Sequence, residues 1–402
     1  MSGASELLGA RGGSDARIVG VVSAAHFVSH YYIMLLPPLF AFVRTDYGVS
    51  YTELGLALTA FNVVAATFQT PTGFLVDRLG PRILMIAGLA LGAAAFAIAG
   101  LVDSFWVLVA MFALAGLGNT VYHPADYAML SQHVPPERLG KAFSVHTFSG
   151  MLGSSVAPAS LLLMQNLWGW RGAFLATALF GIGVAAILAL QPERPARAIP
   201  NKPRAAAADA PVGWRLLLSP PILLNMALFA ALALISGGLQ NYSVVALGAL
   251  YGTPVAAANA ALTGYLLLAA IGVLIGGLLA TRTVRHGLVA VLGLLAMTLT
   301  CTLVGSIDLG TFGFIAAMSV GGFFGGLIMP SRDMIVREDT PPGSFGKVFG
   351  FVSTGFSIGG IVSPLIFGAV MDRGSPHLVF LLVAAFSLLS IVAVAIGRKR
   401  SV

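Results

Sequence analysis

Charge is what this sequence has least of: Asp, Glu, Lys and Arg make up only 9% of its 402 residues. A soluble globular domain carries about 25%, so an ordinary soluble fold is excluded. Cysteine occurs once, at Cys301, which rules out an intrachain disulfide and leaves the redox compartment unread. The chain also lacks a Ser-His-Asp order, a nucleophile elbow, a dinucleotide fingerprint and a phosphate-binding loop. The stretch "GLGNT" at 116–120 is too incomplete for a phosphate loop and reads as glycines that let helices pack closely. These absences argue against an enzyme, a cofactor and ATP-driven work, and leave an ion or solute gradient as the energy source.

What is present is apolar: 57% of residues are hydrophobic and the mean hydropathy is +0.92. Crossing a bilayer takes about 20 apolar residues. Such runs recur at 18–43, 52–75, 83–102, 105–130, 143–165, 171–190, 219–247, 255–280, 287–305, 309–330, 347–370 and 376–397, which predicts twelve spans. They are rich in Gly, Ala and Leu and show no two-residue alternation, so helices are expected rather than a barrel. The opening "MSGASELLGARGGSDAR" is polar and leads into a full-length span, so no cleavable signal is expected.

Basic residues orient the chain, because they are retained on the cytoplasmic side. With the N-terminus inside, only Arg44, Arg171 and Arg373 fall outside. Both termini are thus expected in the cytoplasm of a multi-pass inner-membrane protein, and the net charge of +7 needs no nucleic-acid partner. A basic, Pro- and Ala-rich stretch at 191–214 separates residues 1–190 from 215–402, six spans on each side.

The two blocks repeat. One ungapped offset aligns Pro124 with Pro330, Pro135–Pro136 with Pro341–Pro342, Gly140–Lys141 with Gly346–Lys347, and Pro158 with Pro364. Two pseudo-symmetric six-helix bundles around a central path are the architecture of a rocker-type secondary transporter. After the second span, "GFLVDRLGPR" places Gly73, Asp77, Arg78, Gly80 and Arg82 in the pattern G-x-x-x-D-R-x-G-x-R. This resembles the signature of the major facilitator superfamily, over essentially the whole chain. The resemblance implies an all-α integral membrane fold and a conformational latch made by Asp77, Arg78 and Arg82. A carboxylate there also suits a helix N-terminus. The second copy, "GLLATRTVRHG", has Thr281 in place of the aspartate, so an asymmetric latch is expected.

"HFVSHYYIMLLPPL", "YHPADYA" and "HTFSGMLGSSVAP" further resemble bacterial exporters of the fosmidomycin-resistance type, with Asp126 one residue beyond the glutamate of those relatives. Exchange of protons for an exported small organic solute is the function implied. A transporter-like sensor or assembly factor that binds without turnover is the alternative. Besides solute, protons and lipid, no partner is expected, and a monomer suffices.

Within the fourth run, His123 and Asp126 fall about 10 and 6 Å from the inner end at 1.5 Å per residue. His26 and His30 of the first run fall about 12 and 18 Å from the same face and share one helix side. Helices 1, 4, 7 and 10 line the central cavity in the superfamily, which makes His26, His30, Tyr31, Tyr122, His123 and Asp126 a candidate substrate and proton pathway, with His146 behind it. Asp126 is the one acid deep inside a run; such groups are costly in a membrane, and histidine exchanges protons near neutral pH. The other reading is a set of hydrogen-bonded structural groups. No local metal motif is present and no metal is assigned. Pro124 and Pro330 are expected to bend or unwind their helices. The repeat sets Arg332 opposite Asp126, which suggests a gate; local pairing with Asp333 or Glu338 is the competing reading.

Overall fold

The computed structural model describes residues 2–192, 214–341 and 344–400; most of the expected 191–214 linker lies outside the described residues. Among them there is no strand. In chain order the helices are α1 (Ser2–Ile33), α2 (Phe40–Tyr47), α3 (Tyr51–Leu79), α4 (Pro81–Leu101), α5 (Phe105–Asn119), α6 (Tyr122–His133), α7 (Pro136–Ala189) and the short α8 (Trp214–Leu217). Then come α9 (Pro220–Tyr251), α10 (Val255–Ala280), α11 (His286–Ser306), α12 (Gly310–Glu338), α13 (Phe345–Asp372) and α14 (His377–Arg400).

Among the described residues, eleven helical stretches are long and apolar enough to cross a membrane. One of them, α7, has 54 residues, about 80 Å at 1.5 Å per residue, against a hydrocarbon core of about 30 Å. Gly169, with φ 71° and ψ 170°, breaks it into two crossings. Ten single crossings and this double one give the twelve spans read from the sequence. The fold is an all-α integral membrane fold of two six-helix repeats.

Local chemistry sets the boundaries. Pro37 and Pro38 cannot continue α1 and form a 3-10 turn before α2. Gly48 ends α2 in the left-handed region at φ 64°, a conformation glycine adopts without steric cost. A capping box starts α3: Ser50 N donates to Glu53 Oε2 at 2.7 Å, and Glu53 N donates to Ser50 Oγ at 3.1 Å.

The fourth apolar run is divided between α5 and α6, which part at Thr120–Val121. Pro124 is the third residue of α6 and has no N–H for the Thr120 carbonyl four residues back. The Thr120 hydroxyl instead donates to Leu117 O at 2.7 Å and meets the Thr72 hydroxyl at 2.9 Å. Pro330, its counterpart in the repeat, lies inside a continuous α12.

Contacts divide the chain into two compact units, one formed by Met1–Leu35 with Ala60–Lys202 and the other by Leu36–Thr59 with Pro203–Val402. Each holds its helices together through small residues. In the first, Gly88 of α4 and Gly118 of α5 face each other so closely that a methyl on either would meet the other's carbonyl at 2.8–2.9 Å. In the second, Gly276 of α10 lies against the Leu327 backbone of α12, where a methyl would come within 2.5 Å of the carbonyl. Close backbone approach of this kind is how helices associate where lipid supplies no hydrophobic drive.

Candidate functional site

The first unit buries a carboxylate among imidazoles. Asp126 on α6 has no exposed surface. His26 of α1 places Nδ1 3.1 Å from Asp126 Oδ2, and His146 of α7 places Nε2 3.6 Å from the same oxygen. The His26 and His146 rings stack at 3.8 Å, with His30 and His123 edge-on to His26 at 4.7 and 5.4 Å. Tyr127 closes the group, 5.9 Å from the His146 ring and 4.9 Å from Phe143. His123 and Tyr127 are exposed, His30 is half-buried and the other three are buried.

Glycine makes this density possible. A methyl on Gly150 of α7 would come within 2.5 Å of His26 Cδ2 and 2.9 Å of His30 Cδ2, so α7 reaches the rings only because nothing projects there. His30 is steered by the Ser154 hydroxyl at 3.2 Å.

Proximity and alignment differ at Asp126. Both of its oxygens and His26 Nδ1 lack an aligned hydrogen bond although the pair stands at 3.1 Å. The His146 Nδ1 atom and the Tyr122 hydroxyl are buried without a partner as well. The distance is within reach of a hydrogen bond or ion pair, and the angle leaves donor and acceptor capacity unused. Buried polar groups left without any partner cost about 1–3 kcal/mol each, and in a native protein each calls for an explanation. His26, Asp126 and His146 offer ligand atoms within 4.8 Å of one another. No metal is assigned to them.

The remaining sequence candidates separate from this cluster. Tyr31 turns away, its hydroxyl 2.7 Å from Ser160 Oγ. Asp77 and Arg78 are exposed on the last turn of α3, Gly73 is half-buried with open space around it, and Gly80 makes the turn into α4 at φ 88°. Arg82 is engaged: Nη2 donates to Ala189 O at 2.8 Å and to Gln191 O at 2.5 Å, covering the carbonyl end of α7, where cations are favoured.

In the second unit Arg332 is buried, with Nε and Nη2 donating to Asp333 Oδ1 at 2.9 and 2.7 Å. This is the local pairing weighed against the gate. Its guanidinium also lies over the Phe229 and Phe356 rings at 4.3 and 5.0 Å. Sequence reasoning kept His146 out of the core set, although the repeat segment "HTFSGMLGSSVAP" carries it. Gly150 and Tyr127 had no signal of their own, since their roles depend on how α6 and α7 cross.

Twelve spans in two repeats define a multi-pass helical membrane protein. The sequence matches the Major Facilitator Superfamily over residues 22–252 and 230–402, and the chain belongs to that family, whose members are transporters and not enzymes. It is 22% identical over 388 residues to the fosmidomycin resistance protein of Escherichia coli (strain K12), covering 95% of this chain and 93% of that one. It is 24% identical over 401 residues to a probable sulfoacetate transporter of Cupriavidus necator, covering 92% and 90%. Among solved structures, a bacterial homolog of the human lysosomal transporter Spinster, inward-facing and unoccupied, superposes with a TM-score of 0.79 at 14% identity, over 96% of this chain and 97% of that one.

Proposed function

We propose that the chain is a secondary active transporter that exports a small organic solute in exchange for protons, by alternating access between residues 1–190 and 215–402. The observation that carries this reading is Asp126, a carboxylate with no exposed surface beside His26 and His146, none of it locked into aligned hydrogen bonds. A bare charge at membrane depth is costly. Imidazole takes and gives protons near neutral pH, so a proton shared between carboxylate and rings cancels the charge when the site is occluded and leaves when it opens. Around Asp126, His26 from α1 and His146 from α7 approach the carboxylate, His30 and His123 lie against the His26 ring, Tyr127 lies against the His146 ring, and Tyr122 precedes Asp126 by one turn of α6. Export is supported by a relative named as a multi-drug resistance efflux pump of Streptococcus pneumoniae, 25% identical over 379 residues. The inner membrane with both termini cytoplasmic, a monomeric working unit, and a latch at Asp77, Arg78 and Arg82 belong to the same reading.

The test is counterflow in proteoliposomes, after a thermal-stabilisation screen of phosphonates, organic acids and drugs has supplied a labelled solute. Asp126→Asn is expected to abolish proton-driven accumulation and retain at least part of the solute exchange. Accumulation at wild-type proton stoichiometry in that variant removes Asp126 from the mechanism. Binding without any counterflow in the wild type selects the sensor instead.

A further inference from the structure

Arg332 is a second buried charge, and its surroundings are incomplete. On a helix, neighbours in sequence point about 100° apart and do not face each other. Arg332 nevertheless folds back on Asp333, placing Nε and Nη2 on the single oxygen Oδ1. The other acids of this end of α12 are taken: Glu338 stands 3.8 Å from His286 Nε2, and Asp339 accepts from Asn225 Nδ2 at 2.8 Å. Asp333 itself is 43% exposed while the Arg332 side chain is 7% exposed, so the negative partner stays in the more polar surroundings and the positive one is enclosed. The Nη1 atom of Arg332 is buried with no acceptor, and so is the hydroxyl of Ser331 beside it on the helix. Phe229 and Phe356 lie against the guanidinium; they offer it cation–π contact and no hydrogen bond.

A guanidinium fixed against aromatic rings with donor capacity unspent is built to accept one more anionic group, because arginine presents a rigid planar fork to carboxylates and phosphates. We propose that Arg332, held against the Phe229 and Phe356 rings, is the anion-binding subsite of the carrier, and that its solute is a small organic acid bearing a carboxylate, sulfonate or phosphonate. This deepens the transporter reading and rests on it for the fate of the bound anion. The anionic group takes the Nη1 donor that Asp333 does not reach.

The experiment uses the full-length protein purified in detergent, with thermal unfolding followed through its own tryptophans. Malonate, sulfoacetate and phosphonoacetate are the probes, and the uncharged malonamide is the control. At least one anion is expected to raise the midpoint saturably, with the control inactive. Arg332→Lys should weaken the apparent affinity about tenfold, since an ammonium lacks the fork. Arg332→Gln should abolish the effect. Asp333→Asn keeps the arginine, removes its competing carboxylate, and should tighten binding. The proposal fails if no anion stabilises the wild type, or if the half-saturating concentrations of Arg332→Lys and Asp333→Asn equal that of the wild type. These two variants decide the matter should Arg332→Gln not fold. Arg332-dependent binding without counterflow would sink the carrier reading and spare the site; proton-coupled exchange of neutral solutes at undiminished rate in Arg332→Gln would do the reverse.

Discussion

At the scale of single residues, Gly150 shows how much of the site depends on what is missing. The His26 and His30 rings occupy the space a side chain would need, at 2.5–2.9 Å from the position of an added methyl, and the His146 ring stacked at 3.8 Å blocks their retreat. Overpacking in a tight interior costs about 1–3 kcal/mol. Gly150→Ala is therefore expected to destabilise the purified protein by that amount and to impair proton-driven transport, whereas Gly140→Ala, which meets nothing within 4 Å, should be silent in both assays. Equal denaturation midpoints for the two variants would contradict the packing argument. Asp126 and His26 could be picked from the sequence because an ionisable group in an apolar run is conspicuous at once. His146 as a direct neighbour, and Gly150 as the space that admits it, were not legible: both depend on the crossing of α1 and α7, which no local pattern encodes.

Among the helices, α3 depends on a residue far from it in sequence. Asp372, at the end of α13, accepts from Tyr51 N and Thr52 N at 2.8 Å each and from the Thr52 hydroxyl at 2.6 Å. It satisfies first-turn donors that a helix cannot pair internally, and its charge suits the positive end of the helix. Thr52 and Gly368 approach so closely that a methyl on the glycine would come within 2.7 Å of Thr52 Cα. Nearby, the Tyr242 hydroxyl donates to Pro364 O at 2.6 Å. Asp372→Ala is expected to cost about 0.5–2 kcal/mol, the usual range for a lost helix cap, and to speed hydrogen exchange at the Tyr51 and Thr52 amides. Exchange at those amides as slow as in the wild type would mean that the Ser50–Glu53 box holds the turn alone. The apolar middle of each crossing was readable from hydropathy, while ends such as Ser2 of α1 and Glu338 of α12 lie well outside the apolar runs. The remote cap was not readable, since nothing in "MDRG" near residue 372 names its partner. Pro124 and Pro330 show the same limit: the repeat aligns them, yet α5 and α6 separate before the first while α12 runs through the second. A proline removes one donor wherever it stands; where α5 and α6 part, the Thr72 and Thr120 hydroxyls meet at 2.9 Å.

At the scale of the whole chain, count and repeat were the most legible features, because a bilayer forces each crossing to be long and apolar. The scarcity of cysteine now makes the orientation of those crossings testable. Cys301 is 2% exposed within α11, so an impermeant maleimide finds no native target in the folded protein. The same helix, His286–Ser306, has 21 residues, about 31 Å at 1.5 Å per residue, which is one bilayer core. Val284 precedes it with 88% exposure, and Ser306 is exposed at its far end. Arg282 and Arg285 flank the first end, while Asp308 stands beyond the second, and basic residues are retained in the cytoplasm. With the N-terminus proposed to lie in the cytoplasm, α11, as the ninth crossing, is expected to run outward. Val284→Cys is therefore expected to react with the maleimide only after permeabilisation, and Ser306→Cys in intact spheroplasts. Labelling in the reverse order would invert every span and place both termini outside. Labelling of both sites in intact cells would mean that α11 does not cross, and the twelve-span count would fall with it.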